Sequence, residues 1–596
     1  MKKISLKLTI LFVISAAMFS GCGLKKMVKK YPEVRYEVKP EVLETHGGKV
    51  TVSVSGRVPA KYFRKKATMV VTPVLRTEQG TLELKSIYLK GEKAEGEGTV
   101  IGRKNGGSFS YTDTFDYDPK FNSSELYAQA TARTKKKTAV MPEVKFADGI
   151  IYTSQRVIVK PDLSSKDKPG SGTSLMVADH GYEKEVIITE TASIYYKVDL
   201  SNLDWRLDLN KDAKEELEKF MDFVYKQYEV KEFTLNAWAS PEGEESRNIK
   251  LSEARSKTAM NWYESEIRSY KQKKAREERI RLRDVQLDIP EITAKANGED
   301  WAGFMRAVEN SNLRDKNAIL NVVRNQPDVS RREQEIRNMT VIYKEIEDNI
   351  LPPLRRATFK MSCLEPRKAD SEIANLATSN PKELDNKEIF YAATLTEDMA
   401  TKERIYRNAI EVYPEDWRGY NDLATVLIMQ NKYDEAKTLA EKANTLSPNN
   451  GLVLNNLGVL AMLNGDWVSA KSYIESSSQN GVNQNYNLAM FSVKEGDYQK
   501  AVGLFGNKTC DYNLALAQIL SSNNSAAVQN LECIKDKSAE VYYLLAVANA
   551  RLGNKNGITS NLKKACDMDA KYKAEAKDDR EFMKYFSDSD FINAIR

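Results

Sequence analysis

The sequence predicts a multidomain chain: an N-terminal antiparallel β-sandwich over 35–162, a central α+β domain over 175–363 with a helical insertion at about 266–350, and an all-α solenoid over 364–596. Three observations carry this. Residues 35–160 alternate apolar and polar side chains with period two. Residues 184–265 alternate strand patterns with helical ones. Beyond 380 a helical motif returns at a spacing of about 34 residues. A chain of 596 residues has room for several domains at roughly 100–200 residues each. A net charge of +6 spread over that length gives no reason to expect nucleic acid. The two histidines, His46 and His180, stand in no motif, and the cysteines form no C-x-x-C pair. No metal and no cofactor is therefore expected. Cys363, Cys510, Cys533 and Cys566 read as buried thiols.

At the N-terminus, Lys2, Lys3 and Lys7 precede the apolar run "LTILFVISAAMF". The run has the length of a signal-peptide core and is too short for a span of about 20 residues. It ends "MFSGCG", which resembles the lipobox of bacterial lipoproteins, with Phe19 where Leu is usual. The resemblance implies that 1–21 is a signal peptide and that Cys22 is lipidated. The alternative is a plain secretory signal with a fortuitous cysteine. Residues 22–34 then form a basic tether with four lysines. Surface lipoproteins of Bacteroidetes carry an acidic cluster there, so by that resemblance the basic tether implies the periplasmic face of the outer membrane. Beside an anionic leaflet each lysine adds up to about 1 kcal/mol of attraction.

In the β region, "KVTVSVSGRV" sets Val50, Val52 and Val54 on one face, and "TLELKSIYL" does the same with Leu82 and Leu84. Phe109, Tyr111, Phe115 and Tyr117 share one parity, as core or as a carbohydrate platform. Asn105-Gly106-Gly107 suits a turn. The Ser-, Lys-, Pro- and Gly-rich stretch "SSKDKPGSG" marks a linker, placed at 163–174.

The central region orders a strand (184–200), a helix with Leu217, Phe220, Phe223 and Val224 on one face (211–228), a second strand, and a helix from about Ile249. Here "ASPEG…N…LSEARS" (Gly243, Asn248, Leu251, Ser252, Arg255) and "LRRATFKM" (354–361) resemble the OmpA-like domain. That resemblance implies a ligand, the meso-diaminopimelate of peptidoglycan, held by an Asp on its ammonium and an Arg on its carboxylate. By position Arg255 supplies the Arg, Asn248 matches the turn's Asn, and Ser240 stands where the Asp belongs. Glu242, Glu244 or Glu245 could supply a carboxylate, or be solvated turn residues. Without a ligand the domain serves as a protein-interaction module. The inserted "YKQKKAREERIRLRD" reads as a solvated charged helix or a basic partner surface.

The C-terminal units carry small and large residues at fixed offsets: Tyr420, Leu423, Ala424 and Ala436; Leu457, Gly458 and Ala470; Leu488, Ala489 and Ala501; Leu514, Ala515 and Ala527; Leu545 and Ala546. This spacing resembles tetratricopeptide repeats, whose small residues let paired helices approach. The resemblance implies a concave groove for a peptide or partner domain. The terminal "REFMKYFSDSDFINAI" reads as a cap.

No nucleophile–base pair, phosphate loop or metal spacing is present, so no catalytic residue and no enzymatic activity are expected. The leading expectation is a lipid-anchored periplasmic scaffold at the outer membrane that docks envelope protein partners through its repeats, as a subunit of an outer-membrane protein assembly or secretion complex. Its partner class rests on analogy. The alternatives are a peptidoglycan-binding anchor acting through the OmpA-like domain, and a surface lipoprotein that binds polysaccharide, which the basic tether disfavours.

Overall fold

The computed structural model describes residues 22–165 and 172–596. The expected signal peptide, 1–21, lies outside the described residues. The chain divides into two compact units. Residues up to His180 together with Ala377–Arg596 form one, and Gly181–Leu376 form the other. The described helices include none long and apolar enough to cross a membrane.

The expected tether at 22–34 is instead folded. Helix α1 (Cys22–Lys29) buries Leu24 and Met27, and Tyr31 and Val34 continue into the same core. Leu24, Met27 and Tyr31 recur at helical spacing, so one face is apolar although the segment's composition is basic. Eleven strands follow: β1 (Arg35–Lys39), β2 (Val42–His46), β3 (Lys49–Val58), β4 (Thr68–Thr77), β5 (Gly80–Glu83), β6 (Ile87–Gly91), β7 (Thr99–Ile101), β8 (Gly107–Asp116), β9 (Ser124–Thr134), β10 (Lys137–Val140) and β11 (Val144–Ile151). They are ordered β1-β3-β2-β11-β9-β4-β6-β7, with β8 on β3, β5 on β4 and β10 on β9. Alternation does what period two requires: Val50, Val52 and Val54 face inward from β3, and Ala128, Ala130 and Ala132 from β9. Phe109 is core, and Tyr111, Phe115 and Tyr117 pack against core clusters, which decides the aromatic parity. The expected purely antiparallel pairing is corrected at two places, β2–β11 and β6–β7, which are parallel. The pairing of β2 with both β3 and β11 joins the two layers into one sheet. No local pattern in a five-residue strand specifies such a partner.

The expected linker at 163–174 is corrected at its two ends. Residues 166–171 lie outside the described residues, but its flanks are ordered. Strands β12 (Pro161–Ser164) and β13 (Thr173–Met176) pair in parallel, and the segment to His180 belongs with the first unit. The central domain accordingly begins at Gly181 rather than at 175.

The second unit has strand β14 (Ile187–Tyr195), helix α2 (Asp208–Tyr225), strand β15 (Val230–Ala239), helix α3 (Glu245–Glu278) and strand β16 (Thr293–Glu299). Helices α4 (Trp301–Asn310), α5 (Lys316–Asn325), α6 (Val329–Arg337) and α7 (Thr340–Glu345) follow, then β17 (Arg356–Leu364). The sheet order is β14-β17-β15-β16, with β17 inserted antiparallel between β14 and β15 and with β16 parallel to β15. Leu217, Phe220, Val224, Phe233, Tyr263 and Phe359 form its core. The insertion at 266–350 is not wholly helical: it contains the edge strand β16, whose mostly exposed residues "TAKANGE" show no apolar alternation. Pairing with β15 makes it a strand.

Helix α8 (Asp370–Ser379) leads to the solenoid: α9 (Asn386–Ala392), α10 (Met399–Val412), α11 (Trp417–Met429), α12 (Tyr433–Leu446), α13 (Gly451–Leu463), α14 (Trp467–Gln479), α15 (Asn485–Glu495), α16 (Tyr498–Phe505), α17 (Tyr512–Leu520), α18 (Asn524–Glu532), α19 (Ala539–Leu552), α20 (Lys555–Met568), α21 (Lys571–Asp578) and α22 (Ser589–Ala594). Asp398, Asp416, Asp466, Asp497 and Asp511 cap helix starts with their carboxylates. The small repeat positions are where helices touch. A Cβ on Gly458 would lie 2.7 Å from Ile474 Cδ1. Ala424, Ala436, Ala470, Ala489, Ala501, Ala515, Ala527 and Ala546 are buried, as are Leu423, Leu457, Leu514 and Leu545, whereas Tyr420 and Leu488 are half-buried. Phe582 and Phe591 are buried against each other near the C-terminal end.

Two of the four expected thiols are not free: Cys510 and Cys533 form a disulfide across 23 residues, while Cys363 and Cys566 are buried thiols. Proximity of the two ends of α17–α18, with Cα atoms 5.1 Å apart, is a tertiary fact that spacing does not reveal. Closing a loop of this length stabilises by about 3 kcal/mol in the chain-entropy account. Reduction is expected to lower the unfolding midpoint, measured by calorimetry with and without reductant, and the C510S/C533S chain should match the reduced one.

Candidate functional site

In α11, α13, α15 and α17 the residue just before the repeat leucine is polar: Asp422, Asn456, Asn487 and Asn513. In α11 and α13 another amide precedes it, Asn421 and Asn455. Helical geometry brings these positions to one side of successive helices, and all six are buried. Five of them grip the segment that follows the β domain, while Asn487 donates to Gln484 (2.7 Å). Asn513 accepts from Ile158 N–H (3.0 Å) and donates to Ile158 C=O (2.8 Å). Asn456 repeats this on Met176, at 2.7 and 2.8 Å, and Asn421 also donates to Met176 C=O (2.9 Å). Asn455 donates to Ser174 C=O (2.7 Å), and Asp422 accepts from Ala178 N–H (2.9 Å). Arg418 donates to His180 C=O (3.2 Å). Each bidentate amide pairs with a residue's backbone as a neighbouring strand would. These bonds engage main chain only, so they recognise extended backbone rather than sequence.

The ladder is itself fixed. Asn456 donates to Asn421 (2.9 Å), and Gln484 donates to Asn455 (2.9 Å). Burial pushes the Asp422 carboxyl from 3.8 up to about 7, against the pull of Ala178 N–H, the Asn421 amide and Arg418. The native chain therefore holds a proton that the unfolded chain has released, and the stability this contributes is full below about pH 4 and lost as pH rises through 7. Calorimetry at about pH 5.5 and about pH 8 is expected to show a lower midpoint at the higher pH, and Asp422→Asn should remove that part of the difference.

The same segment begins at a charged junction. Thr153 donates to Glu581 (2.5 Å), Tyr152 to Glu575 (3.1 Å), and Arg156 pairs with Asp579 and Glu575, both at 2.8 Å. Arg551 bridges Glu581 (2.5 Å) and Glu44 of β2 (2.6 Å). His46 Nδ1 lies 2.9 Å from the Tyr498 hydroxyl. At the β2–β3 turn, Gly47 has φ +58° and a Cβ there would meet Glu495 O at 2.6 Å, so the turn approaches the repeat only as glycine.

A sequence profile of the tetratricopeptide repeat family matches residues 405–438, within this array of paired helices. That match identifies one tetratricopeptide repeat, and the all-helical array around it is consistent with the same repeat. Solved structures align with the chain at low identity. YrrB, a tetratricopeptide protein with an unusual peptide-binding site, is 19% identical with TM-score 0.21, covering 35% of this chain and 99% of its own. PilF of Pseudomonas aeruginosa is 14% identical with TM-score 0.28, covering 36% and 99%. A tetratricopeptide repeat protein from Parabacteroides merdae is 13% identical with TM-score 0.25, covering 47% and 99%. No curated protein matches.

In the second unit Arg255, Ser240 and Asn248 come together at the β15–α3 turn, beside a cleft of about 430 Å³ also lined by Asp199, Glu242 and Arg247. Arg255 is 1% exposed, and its guanidinium donates to the carbonyls of Leu200 (3.1 Å), Trp238 (3.0 Å) and Lys197 (3.1 Å). Three of its five donors are thus committed to backbone, and burial lowers its pKa to about 10. Glu242 is not a solvated turn residue: it pairs with Arg355 (2.9 Å) and accepts from the Ser240 hydroxyl. Asn248 donates to Glu242 C=O (2.9 Å) and to Glu299 (2.8 Å). Glu333 accepts from Gly243 N–H (3.1 Å), and burial, then the Glu299 carboxylate, push it up to about 7.

The backbone-gripping amides were not among the residues that sequence reasoning selected. The signal was present: an Asp or Asn before the leucine in four successive units.

Proposed function

We propose that this protein is a non-enzymatic, lipid-anchored scaffold on the periplasmic face of the outer membrane, docking envelope protein partners as a subunit of an assembly or secretion complex. The observation that supports docking is the amide ladder, a groove built to hold an extended backbone. In the resting chain its own residues 158 and 174–180 fill that groove. The solenoid then also couples the β domain to whatever a partner does there, because the same segment starts at the Arg156 junction. Cross-linking in intact envelopes followed by mass spectrometry tests the reading. Partner adducts should map to the repeats, and adducts confined to the second unit would refute repeat-mediated docking. Protease shaving of intact cells tests the placement, since rapid loss would mean cell-surface exposure.

A second reading, an anchor that binds peptidoglycan, draws on the cleft beside Arg255 and Glu242. Sedimentation with purified peptidoglycan tests it. Arg247→Ala is the suitable control, because Arg247 lines the cleft with its side chain exposed, and absence of co-sedimentation would sink this reading.

A further inference from the structure

We propose that the α1 face of the β domain is a seating surface for an anionic lipid leaflet, against which the domain lies directly. This rests on the reading of Cys22 as the lipidated residue. Helix α1 begins at Cys22 itself, and its next apolar residues, Leu24 and Met27, are already in the β-domain core. No slack chain separates a lipid on Cys22 from the folded domain, so the face that carries α1 is held at the bilayer.

That face is basic. Lys25, Lys26 and Lys29 are exposed on α1. Strand β10 packs on α1 and follows the turn that carries Lys135 and Lys136. Lys135 reaches Glu95 (3.4 Å), in the loop whose Lys93 N–H bonds Lys65 C=O (2.7 Å). Lys65 belongs to the β3–β4 loop, where exposed Arg64 and Lys66 surround Tyr62 and Phe63, buried in the same core as Met27. The acids here are largely matched: Glu33 by Lys30 (2.9 Å), Glu92 by Lys65 (3.6 Å), Glu95 by Lys135. The lysines of α1 and the arginine and lysine of the β3–β4 loop remain as surplus positive charge. Several cations carried on one folded surface add their attractions to an anionic leaflet without the cost of ordering their backbone.

The test uses residues 22–596 with Cys22→Ser, so that no lipid contributes. This chain should co-sediment with vesicles of phosphatidylglycerol and phosphatidylethanolamine and not with phosphatidylcholine vesicles. K25E/K26E/K29E should weaken that binding by roughly tenfold or more. Equal binding to both vesicle types, no binding to either, or an unchanged charge-reversal variant would overturn the proposal. Labelled palmitate incorporation into the full chain, and its loss in Cys22→Ser, reports separately on lipidation. A chain that takes no label but binds the anionic vesicles refutes the lipid reading and leaves the surface standing.

Discussion

Asn456→Ala is expected to loosen residues 174–178 from the solenoid while the repeats stay folded. The Asn456 amide satisfies both backbone groups of Met176, in a site where it is 0% exposed. Alanine leaves the Met176 N–H without its acceptor, while its C=O keeps Asn421. An unsatisfied buried donor costs about 1–3 kcal/mol, which raises the opened fraction roughly 5- to 150-fold. Hydrogen exchange at Met176 and Ala178 should accelerate by that factor, and protease should cut the segment sooner. Asn456→Asp is the sharper comparison. It keeps the acceptor for Met176 N–H, removes the donor to Met176 C=O, and buries a charge. Its exchange should be faster still. Unchanged protection at Met176 in both variants would mean that the ladder does not hold the segment. Asn513→Ala offers an independent check at Ile158.

Arg551→Met should destabilise the first unit by about 3–5 kcal/mol, because it strands the buried Glu581 carboxylate. Glu581 is 3% exposed and loses its principal counter-charge, and Glu44 of the β domain loses its link to the repeats. Burial already raises the Glu581 carboxyl above the usual range, with Arg551 the main opposition. Without the arginine that carboxyl is expected to take up a proton, so the variant should lose more stability at neutral pH than in acid. Adding Glu581→Gln and Glu44→Gln should recover much of the loss, since neutral side chains carry no such penalty. Urea denaturation measures both. A loss under about 1 kcal/mol would place the bridge among solvated pairs and sink the argument.

The two sites differ in how far they could be read. At the solenoid, Leu423, Gly458 and Ala470 announce their packing roles, because helix-on-helix contact is periodic and the period is written in the chain. The amides of the groove are equally periodic, yet their role needs a strand that arrives from residues 158–180, several hundred positions away. At the β15–α3 turn, Arg255 was identifiable from the resemblance, but whether its guanidinium meets a ligand or backbone depends on where Lys197, Leu200 and Trp238 place their carbonyls. Composition misled in two places. Residues 22–34 look like a charged tether, and the ends of 163–174, at 163–164 and 173–174, read as part of a flexible linker, because lysine, serine and glycine dominate a short window. A few apolar side chains and main-chain hydrogen bonds outweigh that composition once a core or a groove is present to receive them.

The sequence by itself determined the order of domains, the period-two sandwich and the repeat array, because each is carried by residues close in the chain. The tertiary structure alone decided the rest: the parallel joining of β2 to β11, strand β16, the Cys510–Cys533 bond, the docking of α1, and the occupation of the groove by the chain's own backbone. All of these are pairings between distant segments. Main-chain amides and carbonyls are the same at every residue, so for the strand pairings and the filled groove the sequence carries no mark of which partner they will find.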